Sequence, residues 1–341
     1  MRDKKKVIIN ILFFTLLFII TYWIIFKDKN IDKILFNLGN LKISYIILGL
    51  FVMFQYYVLE SYNIKQILAS FKEKISLMKS IKFSLICAFY SAITPASSGG
   101  QPMQIYYMSK EGYSVSHTTI ALLAHLFGYQ MSGIVLGLIG AFFNHDIFTT
   151  ELTILFIVGI LFNGIALSLT LICIFSTKLS NKLVNIFVKF LKFIRYKKIT
   201  DTEEKIRKEL ELYHESADYI KHNGHTFRKA IIISFMQMFV YHSVPYFTYK
   251  AFGLSGISYF KIVGLQAILY STVASIPLPG SIGINETVFL LIYGTIFGEA
   301  ILADAMLVHR FISFYLFVLI NLLVVIYNII KLSRKEKNNQ S

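Results

Sequence analysis

Two helix-breaking stretches are set inside sequence apolar enough for lipid, and few folds accommodate that combination. Thr94–Pro102 (TPASSGGQP) packs two prolines, two glycines and three hydroxyl residues into nine positions. Pro277–Glu286 (PLPGSIGINE) is its counterpart in the other half, and together they hold four of the five prolines in the chain. Proline removes a backbone donor and glycine resists helix on entropic grounds. In lipid, a broken helix persists only where protein or a water-filled cavity satisfies the freed backbone groups. The pattern therefore points to a transport-type site built from discontinuous helices.

Composition places those breaks in a membrane. The 341 residues are 55% apolar and 16% charged, with a mean hydropathy of +0.61. Soluble domains average roughly 45–50% apolar and about 25% charged. The net charge of +15 fits cytoplasmic loops facing anionic lipid, not nucleic acid. Cys87 and Cys173, the only cysteines, each lie inside an apolar run and give neither a disulfide framework nor a metal cluster. No cofactor is expected.

Apolar runs order the chain. Arg2–Lys6 followed by Val7–Phe26 reads as a retained first helix with a cytoplasmic N-terminus, because no small-residue cleavage site follows it. Ile43–Leu59 is the second span. The intervening loop Lys27–Lys42 carries four lysines against two aspartates and runs against that orientation. Glu60–Lys82, with five lysines and two glutamates, is expected to be cytoplasmic. Phe83–Ile93 is too short to cross, reaching about half of a ~30 Å hydrocarbon core. With Met103–Gly112 it predicts a re-entrant hairpin whose tip is TPASSGGQP. Val115–Phe143 and Leu152–Phe175 are full spans, the former with a small-residue series (Gly133, Gly137, Ala141) suited to close helix packing.

Thr177–Lys229 is a basic insertion, with thirteen Lys/Arg against seven Asp/Glu. Its first part predicts an amphipathic helix on the inner leaflet, with Leu183, Ile186, Phe187, Phe190, Leu191 and Ile194 opposite the lysines. Thr200 and Glu203 form a capping-box signature for a second helix, striped by Ile206, Leu210, Tyr213, Ala217 and Ile220. Ala230–Phe252 then crosses, Tyr259–Ile276 and Thr287–Phe297 flank the second break, and Met306–Ile330 leads to a basic tail.

The expected fold is therefore an all-α polytopic membrane protein of about six full transmembrane helices plus two re-entrant helical hairpins. Residues 1–341 form one integral-membrane unit: a first half 1–176, a cytoplasmic helical insertion 177–229, and a second half 230–341. Loop charges turn the two hairpins in opposite directions, the inverted repeat found in many secondary transporters. Both termini are expected in the cytoplasm of a bacterial cell.

Buried ionisable residues cost roughly 2.5–3.5 kcal/mol on insertion scales and need a reason. Glu286 follows the second break, and Arg310 lies about one turn into the last span. Arg310 has the fork geometry that suits an anionic phosphate, and Glu286 could hold a cationic group or gate the site. The two could equally pair with each other and hold the hairpin. Thr94, Ser97, Ser98, Gln101, Ser281 and Asn285 add polar groups at the tips, near helix N-termini that attract anions. The hydroxyls could also cap their own helices. Pro95, Gly99, Gly100, Pro102, Pro277, Pro279, Gly280 and Gly283 are the breakers. His125, His242 and His309 read as hydrogen-bonded core histidines. Glu60 is expected to snorkel to the interface, and Tyr56, Tyr57, Tyr106 and Tyr107 fit an interfacial belt. The chain contains no Walker loop, dinucleotide fingerprint, HExxH or nucleophile elbow.

The segment TP-x₃-GG-x-P, the later P-x-PG-x₂-G-x₂-E and Arg310-Phe-Ile-Ser-Phe-Tyr resemble the flippase-like membrane region of the lysylphosphatidylglycerol synthases, which also occurs as stand-alone proteins. The resemblance covers nearly the whole chain. Its first motif falls on Thr94, Pro95, Gly99, Gly100 and Pro102, its second on Pro277, Pro279, Gly280, Gly283 and Glu286, and its later arginine on Arg310. Gln101 departs from it, standing where many relatives are expected to carry an acidic residue. The resemblance implies movement of an anionic or aminoacylated phospholipid between leaflets and a role in resistance to cationic antimicrobial peptides. The family's soluble aminoacyl-transferase domain is not found before Ser341. A lysyltransferase activity, or a scaffold for a separately encoded transferase, is the alternative expectation. Membrane phospholipids are the expected partners, with oligomers possible and nucleic acid not expected.

Overall fold

The computed structural model of the chain describes residues 38–193, 199–274, 276 and 278–338. The expected first span Val7–Phe26, Ile194 of the amphipathic face, and the breaker Pro277 lie outside the described residues. Among the described residues all regular structure is helical.

The first half contains α1 (Ile43–Ser70), α2 (Leu77–Ile93), α3 (Gly100–Lys110), α4 (Val115–Phe143) and α5 (Thr150–Phe175). Next come α6 (Thr177–Phe193) and α7 (Ile199–His222), then α8 (Gly224–His242), α9 (Val244–Ala251), α10 (Tyr259–Val273), α11 (Ile284–Phe297), α12 (Leu302–Arg310) and α13 (Leu316–Asn338). A π-helical turn, Phe311–Tyr315, joins the last two.

Six helical segments among the described residues are long and apolar enough to cross a membrane: Ile43–Ser70, Val115–Phe143, Thr150–Phe175, Gly224–Ala251, Pro279–Phe297 and Leu302–Ser333. The outward face of α5 is apolar, with Ile154, Leu161, Phe162 and Ile165 each more than half exposed. Water would not tolerate that face, and lipid requires it. The chain is a multi-pass membrane protein.

Five of the six segments coincide with expected spans. The sixth begins at the second break, where the sequence alone gives only the shorter leg Thr287–Phe297. Counted from Pro279 it reaches 19 residues, of which Ile284–Phe297 is α-helix.

The second span also runs further than expected, to Ser70 instead of Leu59. The polar residues that suggested a loop face the bundle interior. Asn63 donates to the Ala230 carbonyl at 2.9 Å and to Ser234 Oγ at 3.0 Å. Ser61 bonds Ser84 at 3.1 Å, and Ser80 bonds the Ser61 carbonyl at 2.7 Å. A buried polar group with partners is compatible with a helix, and these have them.

Two cores form, each around one breaker. Phe83, Ile86 and Phe89 of α2 pack with Tyr107 and Met108 of α3 and with Ile64, Ile67 and Leu68 of α1. Ile262, Leu265 and Leu269 of α10 pack with Val288, Phe289 and Tyr293 of α11 and with Leu152 of α5. A third cluster, Met53, Tyr57, Val244, Val308, Ile312 and Phe317, ties α1 to the last span. Tyr57 and Tyr107 are buried within these cores, so they are not part of an interfacial belt, whereas Tyr106 is exposed.

Small residues let the halves approach closely. A Cβ on Gly137 would meet Ser271 Oγ at 2.1 Å, and one on Gly140 would meet the Gly264 carbonyl at 2.5 Å. In the insertion, Ala217 and Ile220 of the predicted stripe join the first core. Thr200 falls inside α7, not at its cap. Glu209 of α7 takes the Ser116 N–H at 3.1 Å and so caps the start of α4. Tyr213 Oη donates to the Cys173 carbonyl at 2.5 Å, and burial pushes its phenol up to about 12.

Candidate functional site

Both breaks fold into the same short turn. Pro95–Ser97 and Pro279–Ser281 are each one turn of 3₁₀ helix. The second and third residues of each adopt positive φ: Ala96 51° and Ser97 54°, Gly280 59° and Ser281 50°. In sequence the turns read PASSGGQ and PGSIGIN, with proline, serine, glycine and a carboxamide at matching places. The two turns pack against each other, and the second also contacts α2.

The prolines cost little where they stand. Pro95 and Pro279 open their 3₁₀ turns, and Pro102 lies in the first turn of α3, where an N–H has no intrahelical acceptor in any case. Gly100 and Pro102 are therefore helical, and the breaks are narrower than expected, ending at Gly99 and Gly283. Gly100 is needed for contact: a Cβ there would meet Ser91 Oγ at 2.0 Å and the Cys87 carbonyl at 2.8 Å.

The touching turns are each followed within three residues by a helix start, Gly100 for α3 and Ile284 for α11. The first N–H groups of both helices have no acceptor in their own helix, and both positive dipole ends begin beside the same contact. Such a place attracts an anion.

Charge enters from the second half. Arg310 Nε lies 2.7 Å from Glu286 Oε1, with side chains 5% and 2% exposed. The contact is an ion pair by distance, and the Nε–H does not point at the carboxylate. The other carboxylate oxygen, Oε2, accepts the Gly283 N–H at 2.7 Å. Arg310 Nη2 donates to the Gly280 carbonyl at 3.2 Å, and its guanidinium lies 4.4 Å from the Phe314 ring centre. The pair thus grips the second turn from two sides, so pairing and turn support coexist at this site.

The remaining polar residues divide. Thr94 caps its own turn, accepting the Gly99 N–H at 2.9 Å and donating to the Tyr90 carbonyl at 2.6 Å. Ser97 and Ser98 are exposed at the first tip, and Gln101 and Ser281 are half-buried. Asn285 is buried with Oδ1 unpartnered. Phe314 is a component the sequence did not single out. Its position one helical turn after Arg310 is the signal that could have found it.

His125 is a hydrogen-bonded core residue, with Nδ1 3.3 Å from Asn63 Nδ2. His242 differs from expectation: neither ring nitrogen has a partner, and the ring packs against Tyr241 and Tyr270. His309 is buried and stacks on Phe289, and its Nδ1 has no hydrogen-bond partner, so it too departs from the expectation. Glu60 does not snorkel. It lies in the middle of α1 and accepts from Gln237 Nε2 at 3.5 Å. No group of three or more metal-ligating side chains occurs among the described residues.

A family model described as "Lysylphosphatidylglycerol synthase TM region" matches residues 7–320. No curated protein matches the chain.

Proposed function

We propose that this chain, which belongs to the family of lysylphosphatidylglycerol synthase membrane regions, moves an anionic or aminoacylated phospholipid between the leaflets of a bacterial plasma membrane. Membership ties it to membrane lipid. One observation carries the finer reading: two like-shaped turns meet, each opening a helix N-terminus, beside a buried Arg310–Glu286 pair. In this reading the pair of helical hairpins enters from opposite sides, and the turns meet near the midplane.

Arg310 and the free N–H groups of α3 and α11 receive the headgroup phosphate. Phosphate competes with Glu286 for the guanidinium, and the tips part as the ion pair opens. Acyl chains stay in lipid while the headgroup passes between the tips. Delivering a cationic lipid to the outer leaflet lowers its negative charge and weakens attraction of cationic peptides.

The test uses the purified chain in liposomes with acyl-labelled phosphatidylglycerol and lysylphosphatidylglycerol, read by quenching of the outer leaflet. Wild type should equilibrate the label, and Glu286→Ala or Arg310→Ala should slow it about tenfold or more. Movement no faster than in empty liposomes, for every lipid, overturns the reading. Cysteines introduced at Ser98 and Ser281, with Cys87 and Cys173 replaced by serine, should label from opposite sides. Labelling from one side only overturns the opposed hairpins.

A further inference from the structure

Glu60 is a carboxylate inside a membrane-crossing helix with no cation against it among the described residues. Its polar neighbours are the Gln237 amide and the Ser84 hydroxyl. Intramembrane ionisable groups without an ion partner generally face a pathway or a ligand.

Three helices carry the same pairing of residues, joined to Glu60 through Gln237 and Tyr56. Tyr56 and Glu60 on α1, Gln237 and Tyr241 on α8, and Gln266 and Tyr270 on α10 are each a tyrosine and a polar group one helical turn apart. The rings meet: Tyr56 and Tyr241 centroids are 5.6 Å apart, and Tyr241 and Tyr270 are 6.1 Å apart. Tyr56 Oη donates to Tyr129 Oη at 3.3 Å. Gln237 Oε1 and both nitrogens of His242 are buried in this cluster without partners. Buried polar atoms left over in this number call for water or a ligand.

The cluster is continuous with the first site. Tyr241 lies in the field of Arg310 and beside Gln266, whose Oε1 accepts from Tyr293 Oη at 3.2 Å.

We propose that Glu60 and the tyrosine faces around it form a second headgroup subsite, which takes a positively charged ammonium while Arg310 takes the phosphate. One carboxylate with aromatic faces suits an organic ammonium, whereas calcium or magnesium asks for six or more oxygen ligands. The inference rests on the lipid-transport reading and assigns Glu60 as the residue that selects, among the lipids of that reading, those whose headgroup carries an amine.

The test compares wild type with Glu60→Gln in liposomes holding acyl-labelled phosphatidylethanolamine, which has an amine, or phosphatidylglycerol, which has none. Glu60→Gln should lower the ratio of phosphatidylethanolamine to phosphatidylglycerol movement about tenfold, the effect of one charge-assisted contact. An unchanged ratio overturns the subsite. A second readout separates this failure from failure of transport itself. Dihexanoyl phosphatidylethanolamine should raise the thermal unfolding midpoint of the detergent-purified chain, and Glu60→Gln should abolish that rise while leaving the rise from dihexanoyl phosphatidylglycerol. A rise that persists in Glu60→Gln, or none in wild type, overturns the subsite whether or not lipid moves. A rise with ethanolamine phosphate but not with the lipid overturns the lipid assignment. Should Glu60→Gln fail to fold, Tyr241→Leu removes one ring face and should shift the same ratio in the same direction; no shift overturns the subsite.

Discussion

Arg310 and Glu286 form a 2.7 Å ion pair that closes over the second turn, one partner on α12 and the other in the first turn of α11. Neither residue makes sense alone at this degree of burial. Each neutralises the other, and each also holds a backbone group of the turn: Arg310 the Gly280 carbonyl, Glu286 the Gly283 N–H.

Removing one partner should therefore cost more than removing both. Glu286→Gln or Arg310→Gln leaves an uncompensated buried charge, a loss of about 3–5 kcal/mol. The double variant should recover a large part of it. Arg310→Lys should not rescue, because a single ammonium cannot serve the carboxylate and the Gly280 carbonyl together with the Phe314 face. Thermal unfolding of the detergent-purified variants measures this. Additive losses in the double variant would show that the two residues act independently.

Gly280→Ala should destabilise through Phe314 in addition to the left-handed backbone cost of about 1–2 kcal/mol. Ala96 occupies the matching place in the first turn at φ 51°, so alanine is compatible with that conformation. At Gly280, however, a Cβ would lie 2.5 Å from Phe314 Cζ, an overpacking of about 1–3 kcal/mol. Phe314→Ala should suppress most of that penalty in a double-variant cycle. An unchanged penalty would mean the turn itself rejects a side chain.

Gly100→Ala should be harder to rescue. Its Cβ would strike the Cys87 carbonyl as well as Ser91 Oγ, and Ser91→Ala removes only the second obstacle. Stability of Gly100→Ala/Ser91→Ala should stay below that of Ser91→Ala alone. Equal stability would show that α2 can move away from α3.

The contact between the turns should be trappable. With Cys87 and Cys173 replaced, cysteine pairs drawn one from 95–97 and one from 279–281 should include a pair that oxidises within the same molecule. Lipid movement should stop on oxidation and return on reduction. Cross-linking without any effect on movement would separate tip contact from transport.

Glu209 should matter to the insertion and little to the turns. Its carboxylate takes the Ser116 N–H at the start of α4, so Glu209→Ala should cost about 1–2 kcal/mol. Limited proteolysis within 177–229 should quicken, while movement of lipid per folded molecule stays near wild type.

What the sequence by itself determined was local. Apolar length placed Val115–Phe143 at its observed bounds, because a membrane-length run between polar flanks leaves no other solution. The prolines and glycines located both breaks, since their cost is a backbone property that needs no partner to be legible. The tertiary structure decided everything that depends on which face meets which. Helices surrounded by lipid and protein are apolar on most sides, so periodicity does not announce the inward face. Hence Asn63 and Glu60 read as the end of a span, although they are its polar lining. Arg310 and Glu286 were legible as costly residues, but their mutual distance was not, because the turns between their helices set it. The likeness of PASSGGQ and PGSIGIN became meaningful only once both were seen as one turn, packed tip to tip.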